Sequence, residues 1–326
     1  MKYLYVLTST ENDSFLEQTF VSILSLKQKT PDAFVTLLTD RCTEKTLTHG
    51  RENIRKLCDE IVVKDLDRNF SGKERSRLLK TNMRNLVDGD FLYMDSDTVV
   101  LDNLSEIENV SADFAGIQDG LCAFSKNMQF HTHQKLKARV CTDEKFLLSE
   151  VYINGGVLFV RDNQRNRDFF KQWNELYLEY LQKYGISQDQ PTLAYVNYKN
   201  NFPIHELDGS WNCQLPNGLK YFRTAKILHY FTSGNTPNDL SQLYKECKKL
   251  GFNEDARKLV LENFESCAFD FDVSCVVLGN EYEITRTACY RFFVFLFARH
   301  KKVFNLFENV FSLGRGKGFF FKSRNG

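Results

Sequence analysis

The sequence predicts an α/β fold in which a mixed, mostly parallel sheet is flanked by helices and followed by a helical C-terminal extension. Two observations lead to it. Near-continuous apolar segments, typical of strands buried on both faces, alternate with segments whose apolar residues recur at helical spacing. The length of 326 residues favours one such domain with an accessory region.

Strand and helix alternate regularly through the first hundred residues. The apolar run YLYVLT at 3–8 predicts a strand, and FLEQTFVSILSLKQ after it predicts a helix. The later strands are predicted at 34–38, 61–63 and 91–94, and the helices between them at 43–57 and 74–87. Because such sheets bind ligands at the carboxyl ends of their strands, we expect Thr8 and Asp95 near a ligand.

The pattern becomes less regular after residue 110. Strands are predicted at 113–117, 152–160 and 227–231, and helices at 164–183, from Pro191 onward, at 238–265 and at 284–312. We therefore expect a domain over residues 1–235, with halves of about 1–110 and 111–235, and a helical region over 236–326.

Charge and cysteine content limit the class of protein. A net charge of +1 gives no reason to expect a nucleic-acid partner. The nine cysteines are odd in number and show no CxxC pair, which favours reduced thiols in a cytoplasmic protein. The N-terminal apolar run is too short for a signal peptide, and no segment reaches the ~20 apolar residues of a transmembrane helix.

The segment FLYMDSDTVVLDNL, residues 91–104, carries the strongest chemical signal. Asp95 and Asp97 follow a buried strand and can converge on one hard cation, Mg²⁺ or Mn²⁺, whose open positions favour phosphate oxygens. Haloacid-dehalogenase-type phosphatases have a similar DxDxT/V motif, but on the first strand of their domain. Three predicted strands precede Asp95, so this alternative fits less well.

A series of blocks in a fixed order resembles retaining glycosyltransferases of family 8, the group that contains glycogenin and bacterial lipopolysaccharide galactosyltransferases. The resemblance covers about residues 3–235 and implies a Rossmann-like GT-A domain that uses a UDP-sugar. Its blocks are YVLTS at 5–9, RSRLLK at 75–80, FLYMDSD at 91–97, NGGVL at 154–158, SQDQ at 187–190, and His229-Tyr230.

The resemblance also implies the roles of individual residues. Asp95, Asp97 and His229 would hold Mn²⁺ or Mg²⁺. Gln190 would face the reacting carbon, while Asp189 and Asn154 would bind hydroxyls of the donor sugar. The residues expected to contact the UDP-sugar are Thr8, Ser9, Arg77, Lys80, Asp95, Ser96, Asp97, Asn154, Gly155, Asp189, Gln190, Gly234 and Asn235.

This chain departs from the family pattern in two places. Family members commonly carry a lysine shortly after the position of Gly234, where this sequence continues with Asn235. Arg77, Lys80 or Lys226 would have to replace its charge, and an altered spacing leaves open which of the first two contacts the donor. A UDP-sugar-binding protein without turnover therefore stays an alternative to the enzyme.

The predicted function is metal-dependent, retaining transfer of a hexose or N-acetylhexosamine from a UDP-sugar to a saccharide acceptor, in bacterial surface-polysaccharide assembly. Trp211 is a candidate for the acceptor wall or for the core. Residues 286–326 hold nine Lys/Arg and one acidic residue among many phenylalanines. This tail predicts peripheral contact with the inner face of the cytoplasmic membrane, which would suit a lipid-linked acceptor, or else it packs on the domain.

Overall fold

The computed structural model describes residues 1–67, 69–217, 220–231, 238–265 and 287–315. The chain divides into two compact units, Met1–Asp270 and Phe271–Gly326. Gly234 and Asn235, two of the predicted donor contacts, lie outside the described residues.

The strands and helices predicted for the first unit occur in the predicted order, with further short elements between them. Its strands are β1 (Lys2–Leu7), β2 (Phe34–Asp40), β3 (Glu60–Lys64), β4 (Phe91–Met94), β5 (Thr98–Val100), β6 (Phe114–Gln118), β7 (Ile153–Val160), β8 (His205–Glu206), β9 (Cys213–Gln214) and β10 (Ile227–His229). Its helices are α1 (Phe15–Lys29), α2 (Arg41–Lys45), α3 (Gly72–Leu86), α4 (Phe130–Val140), α5 (Glu144–Leu148), α6 (Gln164–Tyr184), α7 (Gln190–Lys199), α8 (Asn238–Lys249) and α9 (Glu254–Glu265).

The central sheet has seven strands in the order β3-β2-β1-β4-β7-β6-β8. Strands β1 to β4 are parallel, β7 runs antiparallel to both of its neighbours, and β6 is parallel to β8. The predicted mixed, mostly parallel sheet is therefore confirmed. Because β6 runs in the same direction as β4, the carboxyl ends of both strands lie at one edge of the sheet.

A second, smaller sheet was not predicted. Its order is β5-β10-β9, with β10 antiparallel to β5 and parallel to β9. The register pairs His229 with Thr98, so the end of β10 lies beside the segment that follows β4. This small sheet brings residues more than 120 positions apart in sequence to the same place.

The central sheet is buried on both faces. Alternate residues of β1 enter two different cores: Tyr5 packs with residues of α1, and Leu4 packs with residues of α3 and α6. Phe20 of α1 also makes an edge-to-face contact with Phe252, which joins α8 to α9, at a centroid distance of 5.3 Å. The boundary expected at residue 235 therefore falls inside the first compact unit.

Three predicted helices are each broken, and the one expected over 238–265 is α8 followed by α9. The helix expected over 43–57 is α2 followed by a 3₁₀ helix at Arg51–Leu57, because Gly50 between them has a φ of 94°. A Cβ at Gly50 would lie 2.8 Å from the backbone of Gly251, so this close approach requires glycine. The helix expected over 284–312 is two helices, α10 (Ala288–Arg299) and α11 (Lys301–Arg315), separated at His300.

The described part of the second unit is this helical pair. It exposes many large apolar side chains: Tyr290, Phe292, Phe295, Phe297, Val303, Leu306, Phe307 and Val310. Arg291, Arg299, Lys301 and Lys302 lie among them in sequence. Within the described part of the chain, no helix is both long and apolar enough to cross a membrane.

Candidate active site

The segment Asp95-Ser96-Asp97 leaves the carboxyl end of β4 and is fixed from two sides. The backbone N–H of Asp95 donates to the carbonyl of Gly156 in β7, at 2.8 Å, and the N–H of Tyr230 donates to the carbonyl of Asp97, at 3.2 Å. The Thr19 hydroxyl of α1 donates to the Ser96 hydroxyl, at 2.9 Å. Strand β7 and the residue that follows β10 therefore fix the backbone that carries both carboxylates.

Asp95, Asp97 and His229 form one cluster. One ligand atom from each residue lies within 4.8 Å of the other two, and Nε2 of His229 is 3.1 Å from Oδ1 of Asp97. Two carboxylates and an imidazole suit Mn²⁺. They also suit Mg²⁺, which binds mainly through oxygen ligands. The residues present therefore fit the divalent cation that the family resemblance implies.

A glycine leaves the room that His229 occupies. A Cβ on Gly156 would lie 2.2 Å from Cε1 and 2.7 Å from Nδ1 of His229, closer than real Cβ atoms come. A Cβ on the neighbouring Gly155 would meet only ordinary contacts of 3.4 Å or more, with Lys80 and Asp189. Of the two glycines, Gly156 is therefore the one that the histidine requires.

A chain of buried side chains extends from His229 away from the two aspartates. His229 Nδ1 lies 3.0 Å from Oδ1 of Asn212, whose Nδ2 donates to Oδ1 of Asn154, also at 3.0 Å. Asn154 in turn donates to Oδ1 of Asp119, at 2.8 Å, and accepts from the Gly156 N–H, at 2.9 Å. On the Nδ1 side the imidazole is therefore held by one neutral amide, that of Asn212.

The opposite side of the cluster is charged. Nζ of the buried Lys80 donates to both carboxylate oxygens of Asp95, at 3.0 and 3.2 Å, and lies 3.6 Å from Asp189. Nε of Arg77 lies 3.1 Å from the other oxygen of Asp189. The hydroxyl of Tyr93 also donates to Asp95. Two cations from one helix, α3, therefore balance two carboxylates from different parts of the chain.

Burial and charge act in opposite directions on these groups. Burial alone would raise the pKa of Asp189, but Lys80 and Arg77 outweigh it and hold that pKa below its usual value. Burial likewise opposes the charged form of Arg77, yet Asp189 and Asp95 raise its pKa. Both groups are therefore charged at neutral pH.

Two cavities meet at this cluster. One of about 290 Å³ lies between β1, α1 and α3, and one of about 260 Å³ lies toward β7 and α7; both are lined by Arg77, Asp95 and Asp97. The first is also lined by Val6, Thr8, Phe15, Gln18, Lys73, Ser76, Tyr93 and Ser96. The second is also lined by Lys80, Asp119, Gln129, His133, Asn154, Gly155, Gly156, Asp189, Gln190, Asn217, His229 and Phe231. A molecule with two parts joined at a charged centre would fit this shape.

The structure brings most of the predicted site residues together at these cavities. Those that line one or both are Thr8, Arg77, Lys80, Asp95, Ser96, Asp97, Asn154, Gly155, Asp189, Gln190 and His229. Ser9 is placed differently: its buried hydroxyl donates to Asp13 and accepts from Arg51. Lys226 pairs with Glu106, at 3.0 Å, and Trp211 is buried in the core.

The sequence predicts 120–148 and 207–218 only as candidate walls for the acceptor, and it does not indicate the roles of several residues in or beside the site. Asp119 follows β6 at the same sheet edge as Asp95, so the rule that selected Asp95 would also have found it. His133, 3.7 Å from Asp119, lies on α4 in a stretch without a clear pattern. Asn212 lies in a 3₁₀ turn, and nothing in the local sequence indicates that it contacts His229.

The comparison with known proteins agrees with this geometry. A family model described as nucleotide-diphospho-sugar transferase matches residues 55–238. The chain belongs to this family. It is therefore a glycosyltransferase, and the phosphatase alternative is not supported. A search of curated proteins finds no match to this transferase.

Solved structures of glycosyltransferases resemble the transferase at low sequence identity. The bifunctional glycosyltransferase WbbM in its apo form has a TM-score of 0.50 and 14% identity, over 80% of this chain and 51% of that one. The glycosyltransferase GlyE of Streptococcus pneumoniae TIGR4 has a TM-score of 0.50 and 15% identity, over 82% and 64%. Galactosyltransferase LgtC, solved with donor and acceptor sugar analogs, has a TM-score of 0.49 and 15% identity, over 79% and 100%. The two matches with a TM-score of 0.50 show that the transferase has the GT-A fold that its sequence predicts.

Proposed function

We propose that this glycosyltransferase moves a hexose or N-acetylhexosamine from a UDP-sugar to a saccharide acceptor, with retention at the anomeric carbon. The observation that carries the proposal is the convergence of Asp95, Asp97 and His229 where two cavities meet. In the proposed complex the nucleotide occupies the cavity beside Thr8 and Ser96, and the sugar occupies the cavity beside Asn154 and Gly155. The diphosphate then lies at the cluster between them.

Asp95, Asp97 and His229 would hold Mn²⁺ or Mg²⁺, and a cation bound there supplies Lewis-acid stabilisation of the leaving diphosphate. Lys80 adds a fixed positive charge at the same point, since its Nζ already contacts Asp95. This placement makes Lys80 the best candidate to replace the charge of the lysine that family members carry shortly after the position of Gly234. Lys226 is a poorer candidate, because it pairs with Glu106.

Gln190 is proposed to face the reacting carbon. Among the described residues, its Nε2 is buried without a hydrogen-bond acceptor, although its side chain lines the sugar cavity. A donor sugar would provide that acceptor. Asp189 is committed to Arg77 and Lys80, so it suits binding of sugar hydroxyls better than nucleophilic attack.

We therefore propose front-face substitution. The bond from the anomeric carbon to the diphosphate oxygen breaks, and the acceptor hydroxyl forms the new bond on the same face through an oxocarbenium-like transition state. The hydroxyl proton passes to the departing diphosphate. Desolvated charges at the cluster lower the barrier, because their arrangement needs little reorganisation as charge develops.

Titration calorimetry with UDP, with and without Mn²⁺, tests the donor and the metal together. We expect Mn²⁺ to strengthen UDP binding, and EDTA to abolish the gain. A hydrolysis assay over UDP-glucose, UDP-galactose and UDP-N-acetylglucosamine then separates an enzyme from a binding protein. UDP affinity that does not respond to Mn²⁺ would contradict the proposed metal role, and tight binding without turnover would favour the non-catalytic alternative.

We further propose that the C-terminal helical pair contacts an anionic membrane surface, which would place the enzyme at the inner face of the cytoplasmic membrane and suit a lipid-linked acceptor in surface-polysaccharide assembly. The support is local: exposed Phe292, Phe295 and Phe297 lie between Arg291 and Arg299 in the sequence. Aromatic rings favour the interfacial region, and basic side chains favour anionic headgroups.

Co-sedimentation with vesicles tests this contact. The full chain should bind vesicles that contain phosphatidylglycerol more strongly than phosphatidylcholine vesicles, and deletion of residues 286–326 should remove the difference. A deletion variant that binds as well as the full chain would show that the contact lies elsewhere.

A further inference from the structure

Asn212 lies between the imidazole of His229 and the amide of Asn154, and its own side chain is fully buried. Neither of these side-chain contacts is made with Asp95 or Asp97. Its two hydrogen bonds, both at 3.0 Å, instead join the proposed metal ligand to β7. A buried amide with both ends engaged fixes the groups on either side of it.

The direction of each hydrogen bond from Asn154 to His229 follows from the end of the series at Gly156 and Asp119. The backbone N–H of Gly156 can only donate, and it donates to Oδ1 of Asn154. The Nδ2 of Asn154 donates to the carboxylate of Asp119. Oδ1 of Asn154 therefore faces Asn212 as an acceptor, so Asn212 must offer its NH₂ group in that direction.

The oxygen of Asn212 then points to His229, and Nδ1 of the imidazole must carry the hydrogen. Nε2 of a neutral imidazole is left with its lone pair, and that atom lies 3.1 Å from Asp97. A lone pair facing a carboxylate is unfavourable unless a cation lies between them. The network therefore prepares His229 for a metal before any metal arrives.

We propose that Asn212 is a positioning residue, which holds His229 in the Nδ1–H tautomer and directs Nε2 to the cation that Asp95 and Asp97 share. The inference rests on the proposed metal site and adds a residue to it. Groups that orient a metal-bound histidine in this way typically contribute about 10–100-fold to metal affinity. We expect an effect of that size here.

A double-mutant cycle on Mn²⁺ affinity tests the proposal. Free Mn²⁺ is measured by electron paramagnetic resonance for the wild type, Asn212→Ala, His229→Ala and the double variant. Asn212→Ala should weaken Mn²⁺ binding about 10–100-fold in the wild type and should change it less than about twofold in the His229→Ala background. An equal loss in both backgrounds would overturn the proposal, because Asn212 would not be acting through His229.

A matched control separates this effect from the general loss of a buried amide. Asn166 is also buried, and its Nδ2 donates to the carbonyls of Asp113 and Arg161, away from the cluster. Asn166→Ala should therefore lower the melting temperature without changing Mn²⁺ affinity. A wild type that binds no Mn²⁺ would contradict the proposed metal site, and with it the role of Asn212. Loss of binding in Asn212→Ala alone concerns only Asn212.

A second measurement reads the tautomer of His229 in the wild type itself. In the ¹⁵N-histidine-labelled wild type with Mg²⁺ bound, the ring nitrogens of His229 should show a protonated Nδ1 and an unprotonated, metal-coordinated Nε2, with His229→Ala used to assign the signal. A protonated Nε2 with Nδ1 as the acceptor would overturn the proposal directly.

Discussion

The two halves of the first unit contribute different kinds of groups to the site at the same edge of the sheet. In residues 1–110, parallel strands and long helices present charged groups, and Lys80 and Arg77 of α3 pair with Asp95 and Asp189. In residues 111–231, the site is built on a glycine pair and on short strands and turns, and its polar groups are mostly neutral amides. The first half therefore depends on charge and the second on shape and hydrogen-bond direction.

The largest effect is expected where the two halves meet. Asp95→Asn combined with Asp97→Asn should lower sugar transfer by roughly 10³-fold or more, because Lewis-acid stabilisation supplies several kcal/mol and each 1.36 kcal/mol is tenfold in rate. Transfer is measured at saturating Mn²⁺ with each UDP-sugar. If transfer or UDP-sugar hydrolysis survives with the same metal dependence, the two halves do not share a metal.

The role of shape in the second half is tested by Gly156→Ala. The new methyl group would overlap the imidazole of His229, so Mn²⁺ affinity should fall about 10–100-fold, in line with a displaced metal ligand. Gly155→Ala is the matched control, since its Cβ would meet only ordinary contacts, and it should keep Mn²⁺ affinity. Equal losses in both variants would show that the glycine pair matters for backbone conformation and not for His229.

The role of charge in the first half is tested by Lys80→Met. Hydrogen bonds to charged groups contribute about 1.5–3 kcal/mol, so UDP affinity in the presence of Mn²⁺ should fall by about tenfold or more. Lys73→Met removes an exposed lysine of the same helix that lines the nucleotide cavity but is not paired with Asp95, and it should have a smaller effect. If the two substitutions weaken UDP equally, then general positive charge on α3 matters and the contact of Lys80 with Asp95 does not.

The same variant should change the acid stability of the fold. Because Lys80 helps to depress the pKa of Asp189, this carboxylate stabilises the protein above its unfolded pKa of about 3.9, and the contribution is lost as pH falls through the lower folded pKa. The stability difference between wild type and Lys80→Met should therefore be full at pH 7 and narrow below about pH 4. Urea unfolding at both pH values measures it, and a constant difference would contradict the assignment.

The smallest effect concerns a buried charge in the second half, outside the cluster. Lys137 of α4 is fully buried beside Phe124 and Phe146, and burial lowers its pKa to about 8. The folded state then binds fewer protons than the unfolded state between about pH 8 and 10.5, so stability rises with pH over that window. Lys137→Met should stabilise the protein by about 1–3 kcal/mol at pH 7, and the gain should shrink toward pH 10.

Urea unfolding at pH 7 and pH 10 measures this gain, with Lys135→Met on the same helix as the control. A destabilised Lys137→Met variant would show that the bonds from Lys137 to the carbonyls of Leu147 and Ser149 outweigh the cost of burying its charge.

The sequence by itself determined the alternation of strands and helices, the parallel start of the sheet and the aspartate pair at the end of β4. These features are local, since apolar periodicity and the polar residues that end a strand are readable within about ten residues. The blocks of the family resemblance added Asp189, Gln190 and His229, and the structure brings all three to the same cavities.

Only the tertiary structure decided how these residues are held. The small sheet that carries His229, the space over Gly156 and the bonds of Asn212 all join positions that are distant in the chain. An asparagine in a turn has many possible partners, and no local pattern selects one. The charged side of the site could be read from residue types on regular elements, whereas the amide side depends on long-range packing that fixes the direction of each hydrogen bond.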